Sequence, residues 1–163
     1  MRRSIRSFKS DDISNELLKT IVDAARYAPS GGNIQPWLFV IIKDVEIKQK
    51  IHAILRDRML RYLESPRGRR ELEKYGEDLL FRYVEAVKTG LFQRHVIEAP
   101  VLIAVFGNVG SPYYIHDCCA ATENLILAAH SLGLESCWID HGIGDKTAEN
   151  QIKNCLKFLK TIE

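Results

Sequence analysis

The chain has 163 residues, of which 46% are apolar and 27% charged, with a formal net charge of +2. These proportions exclude collagen-like, low-complexity and wholly disordered chains, and the length suits one domain over residues 1–163 with a real core. So small a net charge does not make nucleic acid the default partner, and the longest apolar run, Trp37–Ile42, is far short of a membrane span.

In chain order, the first element is a helix. Ser14 is a suitable N-cap, with Ile13 and Leu18 placed as a hydrophobic staple around it. Leu17, Leu18, Ile21, Ala24, Ala25 and Ala28 repeat at helical spacing, and Pro29 disfavours helix at Ala28. Ser30, Gly31, Gly32 and Asn33 then form a loop. Trp37–Ile42 reads as a strand covered on both faces. Ile47, Ile51, Ile54, Leu55 and Met59 predict a helix that breaks at Pro66-Arg67-Gly68, and a charged helix with a solvated face follows from Glu71 to Gly90. His52 is expected on the surface. Val101–Phe106 is a second buried strand, opened by Pro100 and closed by Gly107, and Cys137-Trp138-Ile139 is a shorter third.

Between the last two strands, Asp117 is placed to cap a helix that runs to Leu132 and ends at Gly133. Its stripe of Cys118, Ala121, Leu125, Ala128, Ala129 and Leu132 suits either the core or a second subunit. A last helix uses Ile152, Cys155, Leu156 and Leu159. Helices interleaved with buried strands imply a layered domain of α and β elements. The basic start is not followed by the apolar stretch of a secretory signal, so the cytoplasm is expected. Cys118, Cys119, Cys137 and Cys155 lack CxxC or zinc spacing, so buried thiols and no metal site are expected.

Two segments carry chemistry. Arg2-Arg3-Ser4-Ile5-Arg6-Ser7-Phe8-Lys9 places four cations and two hydroxyls in eight residues. Extended backbone would put Arg2, Ser4 and Arg6 on one side, where forked guanidinium donors and a hydroxyl suit a phosphate. The second segment is Ala28-Pro29-Ser30-Gly31-Gly32-Asn33-Ile34-Gln35-Pro36-Trp37. Its glycines let backbone approach a flat ligand, and Ser30, Asn33 and Gln35 bring donors and acceptors suited to a heterocycle's edge. No Ser/His/Asp or Cys/His constellation is readable; His95, His116, His130 and His141 are scattered and read as structural.

Together these segments resemble the FMN-dependent nitroreductase family, in which an RRSxR-F opening precedes APSGxNxQPW. Here they stand as RRSIRSF at 2–8 and APSGGNIQPW at 28–37. A third block is similar too: Asp117, then Ala120 to Ala129, then Leu132-Gly133-Leu134-Glu135-Ser136-Cys137-Trp138-Ile139. The resemblance implies an α+β fold with a central, mostly antiparallel sheet flanked by helices, shortened at the C-terminus. Many relatives go on into a further strand and an arm that wraps the partner, whereas this chain stops at Glu163. It also implies a homodimer with FMN at the interface. Arg2, Arg3, Ser4 and Arg6 would hold the phosphate and ribityl chain. Pro29, Ser30, Gly31, Asn33 and Gln35 would meet the ring from the other subunit. Trp138, Ile139, Asp140 and His141 would face the flavin edge, with His141 where the family commonly has glycine.

The implied function is that of an NAD(P)H oxidoreductase. It would reduce a small electron-poor acceptor, a nitroaromatic or quinone, by ping-pong hydride transfer through flavin N5. An FMN carrier or sensor, or a dimeric scaffold with little turnover, is the alternative. Neither nucleic acid nor membrane is expected as a partner.

Overall fold

The computed structural model describes residues 1–140 and 145–157. His141 and Leu159 therefore lie outside the described residues. The described chain gathers into two compact units, residues 1–43 with 99–138, and residues 44–98 with 139–140 and 145–157.

The first unit begins with α1, Asn15–Arg26, and its start is fixed as the sequence predicts: the Leu17 amide donates to Ser14 Oγ at 3.3 Å. The helix stops two residues short of Ala28, at Arg26, with Tyr27 as its C-cap. A tight 3-10 turn, Gly31–Asn33, leads into β1, Trp37–Ile42, which pairs antiparallel with β2, Leu102–Gly107, from Trp37 opposite Gly107 to Ile42 opposite Leu102. β1 is not covered on both faces as predicted. Leu38 is 45% exposed, on the opposite face of β1 from Phe39, which packs into the cluster with Ile21, Ala25 and Ala121.

α6, Tyr114–Ser131, packs along α1 and across the sheet. Its stripe of Ala121, Leu125 and Ala129 closes on Ile21, Ala25, Ala28 and Phe39. The small residues bring the two helices close within one chain, and Asn124 Nδ2 donates to the Ala24 carbonyl between them. α6 ends as predicted. Gly133 takes φ 78°, its amide donates to His130, and the Leu134 amide donates to Ala129, which together form a Schellman closure.

The predicted third strand at Cys137-Trp138-Ile139 is not a strand. The residue just before it, Ser136, makes an isolated parallel bridge with Ser4. A strand exists only where a neighbour offers a ladder, and the segment around Ser4 offers a single rung.

The second unit is helical. α2, Val45–Glu64, is capped by Asp44, whose carboxylate accepts from the Ile47 amide at 2.9 Å. Pro66 does break the helix, but as the first residue of α3, Pro66–Leu72, whose cap is Ser65. The expected helix from Glu71 to Gly90 divides at Gly76. A 3-10 turn, Glu73–Tyr75, precedes the break, and α4, Glu77–Lys88, follows it. Met59, Leu63 and Val87 form this unit's core with Tyr83 and Phe92 against them.

His52 is another correction. It is 8% exposed, not superficial, and its Nε2 lies 2.8 Å from the Phe92 carbonyl. The unit includes the short α5, His95–Glu98, and closes with α7, Lys146–Leu156, which lies against α2. The four cysteines are free and half-buried rather than fully buried. Among the described residues no helix is long and apolar enough to cross a membrane.

Candidate functional site

The basic opening is held by backbone. Besides the Ser4–Ser136 bridge, the Ile5 amide donates to the Ser136 carbonyl at 3.1 Å. This brings the first and third sequence blocks together, with the arginines beside the residues that lead to Trp138. Arg2 is half-buried, and Arg3, Ser4 and Arg6 are exposed. Some cations elsewhere are matched to carboxylates, such as Lys43 to Asp12 at 3.0 Å and Arg61 to Asp145 at 3.2 Å. Among the described residues Arg2, Arg3 and Arg6 have no such partner. Three unmatched guanidiniums and a hydroxyl are the donor set that a phosphate monoester takes.

The second block is a turn of unusual backbone. Gly32, Asn33 and Gln35 take φ of 60°, 55° and 50°. Left-handed backbone is costly for the two non-glycine residues and persists where surroundings impose it. Here internal hydrogen bonds do so: the Gln35 amide donates to Ser30 Oγ at 3.0 Å, and Gln35 Nε2 donates to Asn33 Oδ1 at 2.9 Å. Pro29, Gly32, Asn33 and Gln35 are exposed, while Ser30 and Gly31 are half-buried. A shallow depression of about 380 Å³ opens beside the turn, bordered by Asp23, Arg26, Tyr27 and Gln35. Gly31 packs on the Tyr113 ring so closely that an added Cβ would lie 2.4 Å from Cδ2. Exposed backbone on one side and tight support on the other suit a flat ring resting on the turn.

Support for this turn comes from a residue that the sequence reading placed otherwise. Asp117 is not the cap of α6 but lies in its first turn, where its Oδ1 accepts the Gly31 amide at 3.2 Å. A signal was present: Asp117 heads the four-residue repeat Ala121, Leu125, Ala129, so its carboxylate had to be buried and to find a donor.

Trp138 is 38% exposed. Ile139 is half-buried and Asp140 exposed, both in the second unit. Among the described residues no hydrogen bond or ion pair joins the basic opening to the 28–37 turn. Burial, with Cys119 and Asp117 nearby, pushes the Cys118 thiol up, the opposite of what a nucleophilic thiolate needs.

Comparison with known proteins places these features in a family. The model of the Nitroreductase family matches residues 1–156. A protein of Archaeoglobus fulgidus, named provisionally as an NADH dehydrogenase/NAD(P)H nitroreductase, is 32% identical over 140 residues, covering 85% of this chain and 62% of the relative. An iodotyrosine deiodinase of Hydra vulgaris is 34% identical over 105 residues, covering 64% of this chain and 35% of the relative. The chain thus spans less than two thirds of the length of these relatives. Among solved structures, an FMN-dependent nitroreductase of Clostridium difficile R20291 superposes with a TM-score of 0.67 at 26% identity, covering 96% of this chain and 74% of that one.

Proposed function

The chain belongs to the nitroreductase family, and from that premise we propose that it is an FMN-dependent NAD(P)H oxidoreductase acting on a small electron-poor acceptor of nitroaromatic or quinone type. The observation that carries this reading is the set of unmatched guanidiniums of Arg2, Arg3 and Arg6, pinned by the Ser4–Ser136 bridge next to Trp138. The name of the Clostridium difficile structure supports FMN as the group they hold.

In this reading Arg2, Arg3, Ser4 and Arg6 neutralise and orient the phosphate end. Pro29, Ser30, Gly31, Asn33 and Gln35 of a second copy rest against the ring. The exposed part of the Trp138 indole gives apolar cover that excludes water. FMN supplies the redox chemistry, passing the electrons of NAD(P)H to the acceptor, so no side-chain nucleophile is needed. A cytoplasmic setting provides the reduced nicotinamide.

Similarity to the Hydra vulgaris deiodinase favours a second reading, reductive removal of halogen from a halogenated phenol. One set of assays separates the two. The FMN-loaded protein is supplied with NADH or NADPH and with menadione, a nitrofuran or 3-iodotyrosine. Nicotinamide oxidation with the first two acceptors supports the main reading. Iodide release from 3-iodotyrosine, with one nicotinamide oxidised per iodide and no turnover of the first two acceptors, supports the second. Bound FMN without turnover on any acceptor indicates a carrier.

A further inference from the structure

One buried acidic group in the first unit is not used by the chemistry above. Asp117 is 6% exposed, and it sits in a helix whose neighbouring stripe is Ala121, Leu125 and Ala129. A carboxylate is costly in such surroundings unless its oxygens are satisfied. Only Oδ1 is satisfied, by the Gly31 amide, while Oδ2 is buried without a partner among the described residues. Elsewhere on α6 an apolar residue would serve packing better. What Asp117 adds is a single contact, bridging 86 positions of sequence, to the backbone of the strained turn.

That contact falls where the turn most needs it. Gly31 opens the 3-10 turn, directly before the left-handed residues Gly32, Asn33 and Gln35. The same stretch is held from the same side twice more: Gly31 lies against Tyr113, and the Asn108 amide donates to the Pro36 carbonyl at 2.8 Å. The hydrogen bonds inside the turn fix Ser30 to Gln35 and Gln35 to Asn33, but they do not tie the turn to the body of the unit. Asp117 supplies the side-chain tie.

We propose that Asp117 is a positioning residue: by accepting the Gly31 amide, its buried carboxylate sets the height and tilt of the Ser30–Gln35 turn on which the flavin ring rests. The assignment depends on the FMN reading above, and it concerns the ring half of the site rather than the phosphate half. It makes a specific distinction between two variants. Asp117→Asn keeps an acceptor for the Gly31 amide and exchanges one unpartnered buried atom for another. Asp117→Ala removes the acceptor and leaves the amide unmatched.

The test is FMN titration of the intact chain, wild type and both variants, following the visible absorption and circular dichroism of the flavin. Thermal unfolding of the flavin-free proteins is measured in parallel. Asp117→Ala is expected to weaken FMN binding about tenfold or more, because binding must then order a turn that is no longer held in place, and to change the visible dichroism of the flavin that still binds. Asp117→Asn is expected to restore both the affinity and the dichroic bands close to wild type. A merely structural role would lower the thermal stability of Asp117→Ala and leave the affinity and the spectrum of the bound flavin alone, and that result overturns the proposal. So does an Asp117→Ala protein that binds FMN as wild type does. If Asp117→Ala does not fold, Asp117→Glu, whose longer side chain must displace the turn, is expected to fold and shift the dichroic bands. Unshifted bands in Asp117→Glu overturn the proposal. Wild-type protein that binds no FMN defeats the functional reading itself, a different outcome from any of these.

Discussion

Arg6 stands exposed, and among the described residues no carboxylate pairs with it. If its role is to hold phosphate, its removal should act on cofactor affinity alone. Arg6→Ala is expected to weaken FMN binding about tenfold or more, while the ratio of NADH to NADPH use stays unchanged. Fluorescence titration and steady-state rates with both nucleotides check this, and equal loss on both counts would argue against a phosphate role. Gly31 makes a stability prediction. A methyl there meets the Tyr113 ring at 2.4 Å, so Gly31→Ala should cost about 1–3 kcal/mol in chemical denaturation. Adding Tyr113→Ala should recover part of that loss, and an unaltered midpoint in the single variant contradicts the packing described. At this scale the sequence could single out the basic opening and the turn, because each is a local run of residue types. The role of Asp117 was not legible, because its partner Gly31 lies far away in the chain.

Element ends show the same division. The Ser14 cap of α1 and the Gly133 closure of α6 could be read directly, since each is decided within a few residues. The third strand could not, because a run such as Cys137-Trp138-Ile139 becomes a strand only if a distant segment pairs with it, and Ser4 offers one rung. His52 was misplaced for a related reason: α2 has α3, α4, α5 and α7 packed around it, so one helix has several buried faces. Asp145 at the start of α7 supports a prediction with a definite sign. Its carboxylate accepts from the Ala148 and Thr147 amides and meets Arg61, and these donors hold its pKa below the usual carboxylate value. A depressed acid stabilises the fold above its ordinary pKa of ~3.9, and that contribution is lost as pH falls through the folded value. Asp145→Ala should therefore cost about 1 kcal/mol at neutral pH. The gap between variant and wild type should narrow under acid, and a gap that widens there contradicts the sign. In α6, Leu125→Ala should cost about 2–5 kcal/mol, because Leu125 fills the cluster between α1 and the sheet.

For the molecule as a whole, the proposed function assigns the redox chemistry to a bound group rather than to side chains. The basic opening and the glycine turn are each well built and are not bonded to each other within a chain. Two copies with closed symmetry would complete each half with the other, so cofactor and dimer should be linked. The most direct measurement is FMN titration of the purified protein, followed by visible absorption and by mass in solution. The account predicts saturable binding near one FMN per chain, a perturbed flavin spectrum and a dimer. Colourless protein whose added FMN keeps the spectrum of the free cofactor would contradict it.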